Sequence, residues 1–307
     1  MTIATPQQDE QLAKAAAPES PLAQLWANYA SSRRAIVGLV IFLLVVAASV
    51  LAPVIAPQDT YNLAALNFLD SKLPPGSQAA NGMVYWLGTD DQGRDMLSAI
   101  LYGLRTSLAV GAMSAVLALV IGTVIGLVAA YAGGKIDALI MRLVDLQLSF
   151  PSMLVALILI SVLGQGVGKI IAALVAVQWA YYARTVRSSA LVEREKDYVT
   201  AARCLGLTHT RVMFRHLMPN CLPPLIVVVT VQVAYAIALE ATLSFLGIGL
   251  PITQPSLGLL IANGFEYMMG GRYWISVYPG VALLITIFAI NLIGDQLRIL
   301  LNPKLLR

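Results

Sequence analysis

Charged side chains are scarce in this sequence. They make up 12% of its 307 residues, whereas hydrophobic residues make up 58%. Soluble globular proteins carry roughly 25% charged residues, so this chain has too few charges to cover a water-facing surface. The apolar residues also form long blocks instead of recurring at helical spacing, and such blocks are typical of helices that cross a lipid bilayer.

The excess of positive charge is small, and its placement argues against a nucleic-acid partner. The net charge is +4, and the basic residues lie at the ends of the apolar blocks, where they set membrane topology. Cysteine is limited to Cys204 and Cys221, whose spacing does not suit a metal site. Both thiols fall on the predicted cytoplasmic side and are expected to be reduced.

Nucleotide-binding and catalytic motifs are also missing. The P-loop pattern G-x-x-x-x-G-K-[ST] does not occur, since the nearest match, at Gly134-Lys135, has Ala129 in place of the first glycine. The motifs of zinc proteases and serine hydrolases do not occur either. We therefore expect no catalytic residue, no metal and no bound cofactor in this chain, and energy for uphill transport would have to come from a partner.

Six segments are expected to span the membrane, since each is mostly apolar and close to the roughly 20 residues that a spanning helix needs. The first should stay in the mature protein, because residues 1–30 contain no signal-peptide core. The fourth is short, but without it the next loop would lie on the wrong side for its charge. Pro151 should kink the third. The six predicted spans are Ala35–Ala56, Ser107–Ala132, Leu146–Leu163, Lys169–Arg184, Cys221–Leu246 and Val277–Ile293.

The charges of the connecting segments predict the topology. The segment 184–216 is rich in Arg and Lys, whereas the long connection before the second span is rich in Asp. By the positive-inside rule the first lies in the cytoplasm and the second outside. Six spans then place both termini in the cytoplasm, in agreement with Lys304 and Arg307 near the end of the chain.

Within the basic segment, residues 198–205 have the pattern of a helix. Tyr198, Ala201, Ala202 and Leu205 recur at i, i+3, i+4 and i+7, which places them on one helical face, and Gly206 is a good helix stop. This face is small in the middle and apolar at its ends. It could pack on the bundle of its own chain or dock into a groove of another protein, and the spacing alone does not decide between the two.

Ala201, Ala202, Gly206 and Pro219, with the intervals between them, resemble the EAA loop of permeases from ABC importers. The resemblance implies that the segment is a coupling helix, which seats in a cleft of an ATPase subunit. The glutamate usual in that family would fall at Thr200. The residues expected to couple to the ATPase are Tyr198, Ala201, Ala202, Leu205 and Gly206.

Further segments narrow the resemblance to the permeases of the dipeptide, oligopeptide and nickel importers. Within such an importer, the chain resembles the permease subunit of the C type. Together these segments extend from about residue 35 to the end of the chain. They are Leu87–Ser98, Tyr102-Gly103, Arg105–Ser107, Glu240–Gly247, Asn291–Asp295 and Asn302–Lys304.

This resemblance implies an all-α membrane protein with the MetI-like bundle of six transmembrane helices and a cytoplasmic coupling helix. Its expected partners are a second homologous permease, two cytoplasmic ATPases that hold ATP and Mg²⁺, an extracytoplasmic substrate-binding protein and the lipid of a bacterial inner membrane. The expected substrates are di- and oligopeptides, with nickel, glutathione or another small solute as alternatives. A stand-alone secondary transporter is the rival function, although that class often has broken helices and mid-membrane ions in matching halves.

The corresponding division of the chain has five parts. They are a cytoplasmic tail (1–34), a first anchor helix (35–56), an extracytoplasmic loop with an interfacial helix (57–104), a five-helix core that includes the coupling loop 193–219 (105–301) and a cytoplasmic tail (302–307).

Two ionisable residues in apolar surroundings are candidates for the pathway or a gate. Glu240 is the one charge in its span, and Arg184 could face an internal aqueous path instead of reaching toward the membrane surface. The alternatives for Glu240 are helix-end packing or a polar partner within the chain.

The extracytoplasmic segment before the second span contains a predicted helix. Thr89 and Asp90 are suitable caps for a helix that begins near Gln92. Its apolar stripe predicts an amphipathic helix at the membrane surface, which could brace the bundle or gate its outer mouth. The stripe consists of Leu97, Ile100, Leu101 and Leu104.

Two smaller features concern helix packing and helix ends. Gly122 and Gly126 allow a close helix–helix contact, with a partner in this chain or another. Two aspartates are expected to cap loops or to form ion pairs, Asp145 with Arg142 and Asp295 with Arg298.

Overall fold

The computed structural model describes residues 21–62, 66–79 and 82–301. The predicted tail 302–307 and the first 20 residues lie outside these ranges. The described part is mostly helical, and the longest helices are those with the longest apolar blocks. The helices are α1 Pro21–Ala30, α2 Arg33–Val50, α3 Ala52–Ile55, α4 Met96–Ala132, α5 Gly134–Ser149, α6 Ser152–Leu163, α7 Val167–Arg194, α8 Asp197–Cys204, α9 His209–Arg211, α10 Met218–Phe245, α11 Leu257–Phe265 and α12 Trp274–Leu300.

The bundle has two chemically different ends. The segment 58–95, between α3 and α4, contains a 3₁₀ turn at Phe68–Asp70 and the antiparallel strands β1 (Ser77–Gln78) and β2 (Val84–Tyr85). We call the end that carries this segment the acidic end, and the end that carries residues 194–217 the basic end. Helix α4 links them, because it begins after the acidic segment and its Ala130 carbonyl accepts a hydrogen bond from Arg194 Nη1 at 2.6 Å.

Within the described ranges, four helices are long and apolar enough to cross a membrane: α2, α4, α12 and the helical stretch His209–Phe245 that ends with α10. Helices α5 and α6 make a fifth segment if they count as one span, which is bent by 92° at the break that contains Pro151. The expected kink is thus a sharp turn between two helices. The remaining predicted span lies within α7, whose 28 residues reach about 42 Å but are too polar for this class.

The helix predicted to begin near Gln92 and to lead into the second span begins at Met96 instead. A single helix of 37 residues begins at Met96, where the Asp95 side chain accepts a hydrogen bond from Ser98 N at 2.8 Å, and it continues into the second span. Its first turns are covered on nearly all sides, since Ile100 and Leu101 are only 8% exposed. These first turns pack against α11 and the start of α12.

The centre of the bundle is the close contact between α4 and α7. A Cβ atom on Gly122 would lie 2.5 Å from the carbonyl oxygen of Trp179, and one on Gly126 would lie 2.5 Å from that of Ala183. Only glycine allows the two backbones to approach this closely. The partner of the predicted glycine pair is therefore a helix of the same chain.

The acidic end is held to the bundle by buried polar contacts. Asp90 and Arg94 form an ion pair of 2.6 Å, and neither side chain is exposed to solvent. Arg94 Nη1 also donates to the Ile252 carbonyl at 3.4 Å, and Trp274 Nε1 donates to the Thr89 carbonyl at 3.1 Å. These bonds fix the acidic segment to the loop before α11 and to the start of α12.

Candidate functional site

The predicted coupling segment is a short helix at the basic end. Helix α8 spans Asp197–Cys204, with an acidic residue in its first turn and a basic residue in its last turn, as the helix dipole favours. Gly206 follows with φ of +70°, in the left-handed region that favours glycine. The turn is closed by Gly206 N, which donates to the Arg203 carbonyl at 3.0 Å.

One side of α8 packs on the bundle. Val199 is fully buried and Ala202 is 4% exposed, and both contact a cluster that includes Val212, Met213 and the free thiol Cys221. The expectation that Ala202 faces outward with Ala201 and Leu205 is therefore corrected. Ala202 lies three residues after Val199, so the two share the face that covers the core.

The opposite side of α8 is open to solvent. Ala201 and Cys204 are exposed, and Leu205 is 79% exposed at the tip of the helix. Thr200, at the position of the family's usual glutamate, is also exposed. A small residue next to a protruding leucine forms a low apolar surface that another protein could approach closely.

Hydrogen bonds join α8 to both long helices beside it. Tyr198 Oη donates to Glu193 Oε2 at 2.8 Å and accepts from Asn220 Nδ2 at 3.1 Å. Glu193 also binds Lys196 Nζ at 2.6 Å. Partial burial, together with the Glu193 carboxylate, raises the pKa of Tyr198 to about 12, so the phenol stays protonated and can donate at neutral pH.

A second contact connects α8 to the end of α4. The guanidinium of Arg203 lies 5.1 Å from the centre of the Tyr131 ring, and Tyr131 Oη lies 2.6 Å from His209 Nδ1. A cation over an aromatic ring is attracted to its face. Helix α8 is therefore linked to α4, α7 and α10, so a force applied to α8 reaches all three.

A groove runs from the middle of the bundle to the basic end, between α7 and α10. It consists of two cavities, of about 830 and 470 Å³, that share Thr185, Val227 and Val228. The larger cavity opens next to α8, since Glu193 and Asn220 line it. On α7 the polar residues Thr185, Ser188 and Ser189 line the larger cavity, and Tyr181, Arg184 and Thr185 line the smaller one.

Arg184 lines this groove and forms an ion pair with Asp145, which was expected to pair with Arg142. Arg184 Nη2 forms an ion pair with Asp145 Oδ1, and both side chains are more than half exposed. The predicted pair of Asp145 with Arg142 is wrong, because the α5–α7 contact places Asp145 beside Arg184. Arg187 likewise binds Asp137 through two bonds of 2.6 and 2.7 Å. Asp295 forms no ion pair with Arg298 in the described ranges.

Comparison with known proteins identifies the family. The sequence model described as "Binding-protein-dependent transport system inner membrane component" matches residues 122–307, more than half of the chain. The chain belongs to this family. A second model, described as the N-terminal TM domain of oligopeptide transport permease C, matches residues 20–75. With its several apolar helices, the permease is a multi-pass inner-membrane protein.

Curated relatives match the permease over nearly all of its length. A dipeptide transport system permease protein of Escherichia coli K12 is 41% identical over 97% of this chain and 98% of its own. One of Haemophilus influenzae is 38% identical over 94% and 97%. A putative peptide transport system permease protein of Brucella suis is 43% identical over 88% and 87%.

A solved structure of the methionine ABC transporter MetNI, in an inward-facing conformation, has the same fold as the permease core. The TM-score is 0.55 at 21% identity, covering 67% of this chain and 98% of that chain. At this identity the likeness concerns the fold alone, and it agrees with the expected MetI-like bundle.

Glu240 of the permease is sealed from the groove. Its side chain is fully buried and lines neither cavity of the groove. Ser107 Oγ donates to one carboxyl oxygen at 3.0 Å, and Ser244 Oγ donates to the other at 2.7 Å. Leu257 N donates to the same Ser107 hydroxyl at 3.3 Å. Glu240 therefore joins α4, α10 and α11, as in the polar-partner alternative.

The groove residues are the part of the site that sequence reasoning missed, apart from Arg184. Their signal is visible in the sequence, because Tyr181, Arg184, Thr185 and Ser188 recur at i, i+3, i+4 and i+7 within a membrane segment. A polar stripe in a spanning helix indicates an aqueous or protein-facing side.

Proposed function

We propose that this permease forms half of the translocation path of an ATP-driven, binding-protein-dependent importer of di- and oligopeptides. The observation that carries the proposal is identity of about 40% over nearly the whole length of permeases of dipeptide transport systems. The other half of the path would come from a second, homologous permease. The extracytoplasmic binding protein would deliver the peptide.

In this proposal the basic end faces the cytoplasm and the acidic end faces outward. The support is the charge of the two ends: Arg and Lys predominate in residues 194–217, and Asp predominates in residues 58–95. Basic loops are retained on the cytoplasmic side during membrane insertion. The termini would then both be cytoplasmic.

The proposed docking surface is the exposed side of α8. Ala201 and Leu205 would contact a cleft of a cytoplasmic ATPase, which would hold the ATP and Mg²⁺ that this chain has no motif to bind. Tyr198, Ala202 and Gly206 would act indirectly, by holding the helix at its angle to the bundle. A small surface with one protruding leucine suits a cleft, because close approach needs small side chains.

The same contacts suggest how ATP binding would reach the path. Closure of the two ATPases would displace both coupling helices together. The Tyr198 bonds to Glu193 and Asn220 would pass this displacement to α7 and α10, which are the walls of the groove. Rigid rocking of these helices would then switch the path between outward and inward access.

Substitution at Ala201 tests the docking surface. Ala201→Arg should reduce peptide uptake at least tenfold and abolish the response of ATP hydrolysis to the loaded binding protein, because a long charged side chain cannot enter a close contact. Ala201→Ser, which keeps a small side chain, should retain uptake. Uptake and ATPase activity are measured on the complete complex in proteoliposomes.

Membrane insertion of the Ala201→Arg variant should be unchanged, since Ala201 is exposed and lies outside the predicted spans. The level of the variant in the membrane fraction checks this. Normal coupled uptake by Ala201→Arg would remove the docking role of α8.

A further inference from the structure

The exposed surface of α7 differs in kind from that of the other long helices. On α4 the exposed residues include Val116, Val120 and Val124, and on α12 they include Leu284 and Phe288. Such faces suit lipid. On α7 the stripe near the basic end carries hydroxyl, guanidinium and phenol groups, which are costly to expose to hydrocarbon. This stripe therefore faces water, a polar solute or another protein, and not lipid.

The groove beside this stripe contains a buried polar group without a partner. Gln232 of α10 is 5% exposed and lines the smaller cavity, yet its Nε2 donates no hydrogen bond. A buried amide donor of this kind is costly unless it is satisfied. Nε2 itself is covered by protein atoms, so a ligand carbonyl or a water molecule reaches it only if the side chain turns toward the cavity.

Most of the hydrogen-bonding groups on the groove wall carry no charge. Hydroxyls come from Thr185, Ser188 and Ser189, and amides come from Asn220 and Gln232. Such groups both donate and accept hydrogen bonds. The Thr185 and Ser188 hydroxyls donate to carbonyls of their own helix, at 2.9 and 2.8 Å, so toward a solute they present acceptor oxygens. Such oxygens match the main-chain N–H groups that peptides present whatever their side chains.

The charges near the middle of the groove cancel. Arg184 lies about 15 Å from the end of α7 along the helix axis, at a depth where an unpaired cation would dominate the local field, but it is paired with Asp145. At the basic end, Glu193 is paired with Lys196. Arg298 lines the larger cavity and is the cation of the groove wall without a carboxylate partner in the described ranges.

We propose that the α7–α10 groove is the wall that contacts the peptide in transit, and that Asp145 neutralises Arg184 so that peptides pass irrespective of side-chain charge. This inference rests on the proposed function. It assigns recognition within the membrane to the peptide main chain, through the uncharged stripe and Gln232, and it gives the Arg184–Asp145 pair a specificity role.

The test separates the two charges of the pair. Asp145→Asn, Arg184→Gln and the double variant are assembled with the complete transporter in proteoliposomes, and uptake of Ala-Ala-Ala, Ala-Glu-Ala and Ala-Lys-Ala is measured. Each uptake is divided by the wild-type value for the same peptide, which removes the preference of the binding protein.

Asp145→Asn leaves an unpaired cation and should reduce uptake of Ala-Lys-Ala about tenfold relative to Ala-Glu-Ala. Arg184→Gln leaves an unpaired anion and should reverse this order. The double variant should transport the three peptides evenly again. A pair with a purely structural role would instead slow all three peptides equally in each single variant, and that result would overturn the inference while leaving the proposed function intact. Failure of the wild type to transport any peptide would overturn both.

A labelling experiment covers the case of a single variant that fails to assemble. In a background without Cys204 and Cys221, Thr185→Cys is compared with Val120→Cys for reaction with a membrane-impermeant thiol reagent. Thr185→Cys should react at least tenfold faster and be protected by transported peptide. Equal rates, or a Thr185→Cys site that is covered by the second permease and forms a cross-link to it, would overturn the inference.

Discussion

The two ends of the permease differ in whether their polar contacts are buried or exposed. At the acidic end, charges are buried: Asp90 and Arg94 pair without any exposure, and Glu240 is sealed among serine hydroxyls. At the basic end, the polar contacts of α8 are made at the surface, where Lys196 is 52% exposed. The buried contacts fix one end of the bundle rigidly. The surface contacts hold a helix that stays accessible, as the proposed docking to an ATPase requires.

The largest expected difference in stability concerns two ion pairs, Asp90–Arg94 at the acidic end and Glu193–Lys196 at the basic end. Arg94→Ala should lower the free energy of unfolding by about 3–5 kcal/mol, because it leaves the Asp90 carboxylate buried without a partner. Lys196→Ala, at the basic end, should cost about 1 kcal/mol or less, as for exposed ion pairs. Chemical unfolding of the detergent-solubilised protein compares the two variants. Similar losses in both would contradict the distinction between the ends.

An intermediate effect concerns the two sides of α8. Ala202→Leu should destabilise the permease by about 1–3 kcal/mol, because it overfills the contact with Val199 and Met213. Ala201→Leu adds the same atoms in solvent and should leave stability within about 0.5 kcal/mol of the wild type. Thermal unfolding of the pair measures the difference, and equal stability would mean that Ala202 is not packed inward.

The smallest expected effect concerns the Tyr198 hydroxyl. Tyr198→Phe removes the bonds to Glu193 and Asn220 and should cost about 0.5–1.5 kcal/mol. In the wild type the raised pKa makes this contribution complete below pH 10, the ordinary value for tyrosine, and lost as the pH rises through about 12. Unfolding of wild type and variant is compared between pH 8 and the onset of alkaline denaturation.

The difference in stability between wild type and Tyr198→Phe should be constant up to about pH 10 and narrow above it. A difference that widens with pH would contradict the role of the protonated phenol.

The number of long helices and the family of the fold could be predicted from the sequence, because they depend on the hydropathy of whole segments and on motif spacing. Apolar blocks located the helices, and motif intervals indicated the family and its MetI-like fold. The predicted span at Lys169–Arg184 was short because its flanks carry charges, yet α7 is the 28-residue helix at the centre of the bundle. Its polarity is explained by the groove stripe, which the periodicity of Tyr181, Arg184, Thr185 and Ser188 could have indicated.

Features that depend on contacts between distant segments could not be predicted. The helix before the second span is predicted to begin near Gln92, too early, because Asp90 resembles a cap, whereas the Asp90 carboxylate binds Arg94 four residues later. Ala202 was expected to face outward because helical spacing alone cannot tell which side of a short helix meets the core. The partner of Asp145 depends on the contact of α5 with α7, which no local pattern encodes.

The most direct test of the account is a cross-link from the tip of α8. A photoreactive phenylalanine analogue is incorporated at Leu205 in the complete transporter, with the same analogue at Val120, an exposed apolar residue of α4, as control. The account predicts a covalent adduct between Leu205 and an ATPase subunit, strengthened on ATP binding, and none from Val120. An assembled, active transporter in which Leu205 forms no adduct with the ATPase would contradict it.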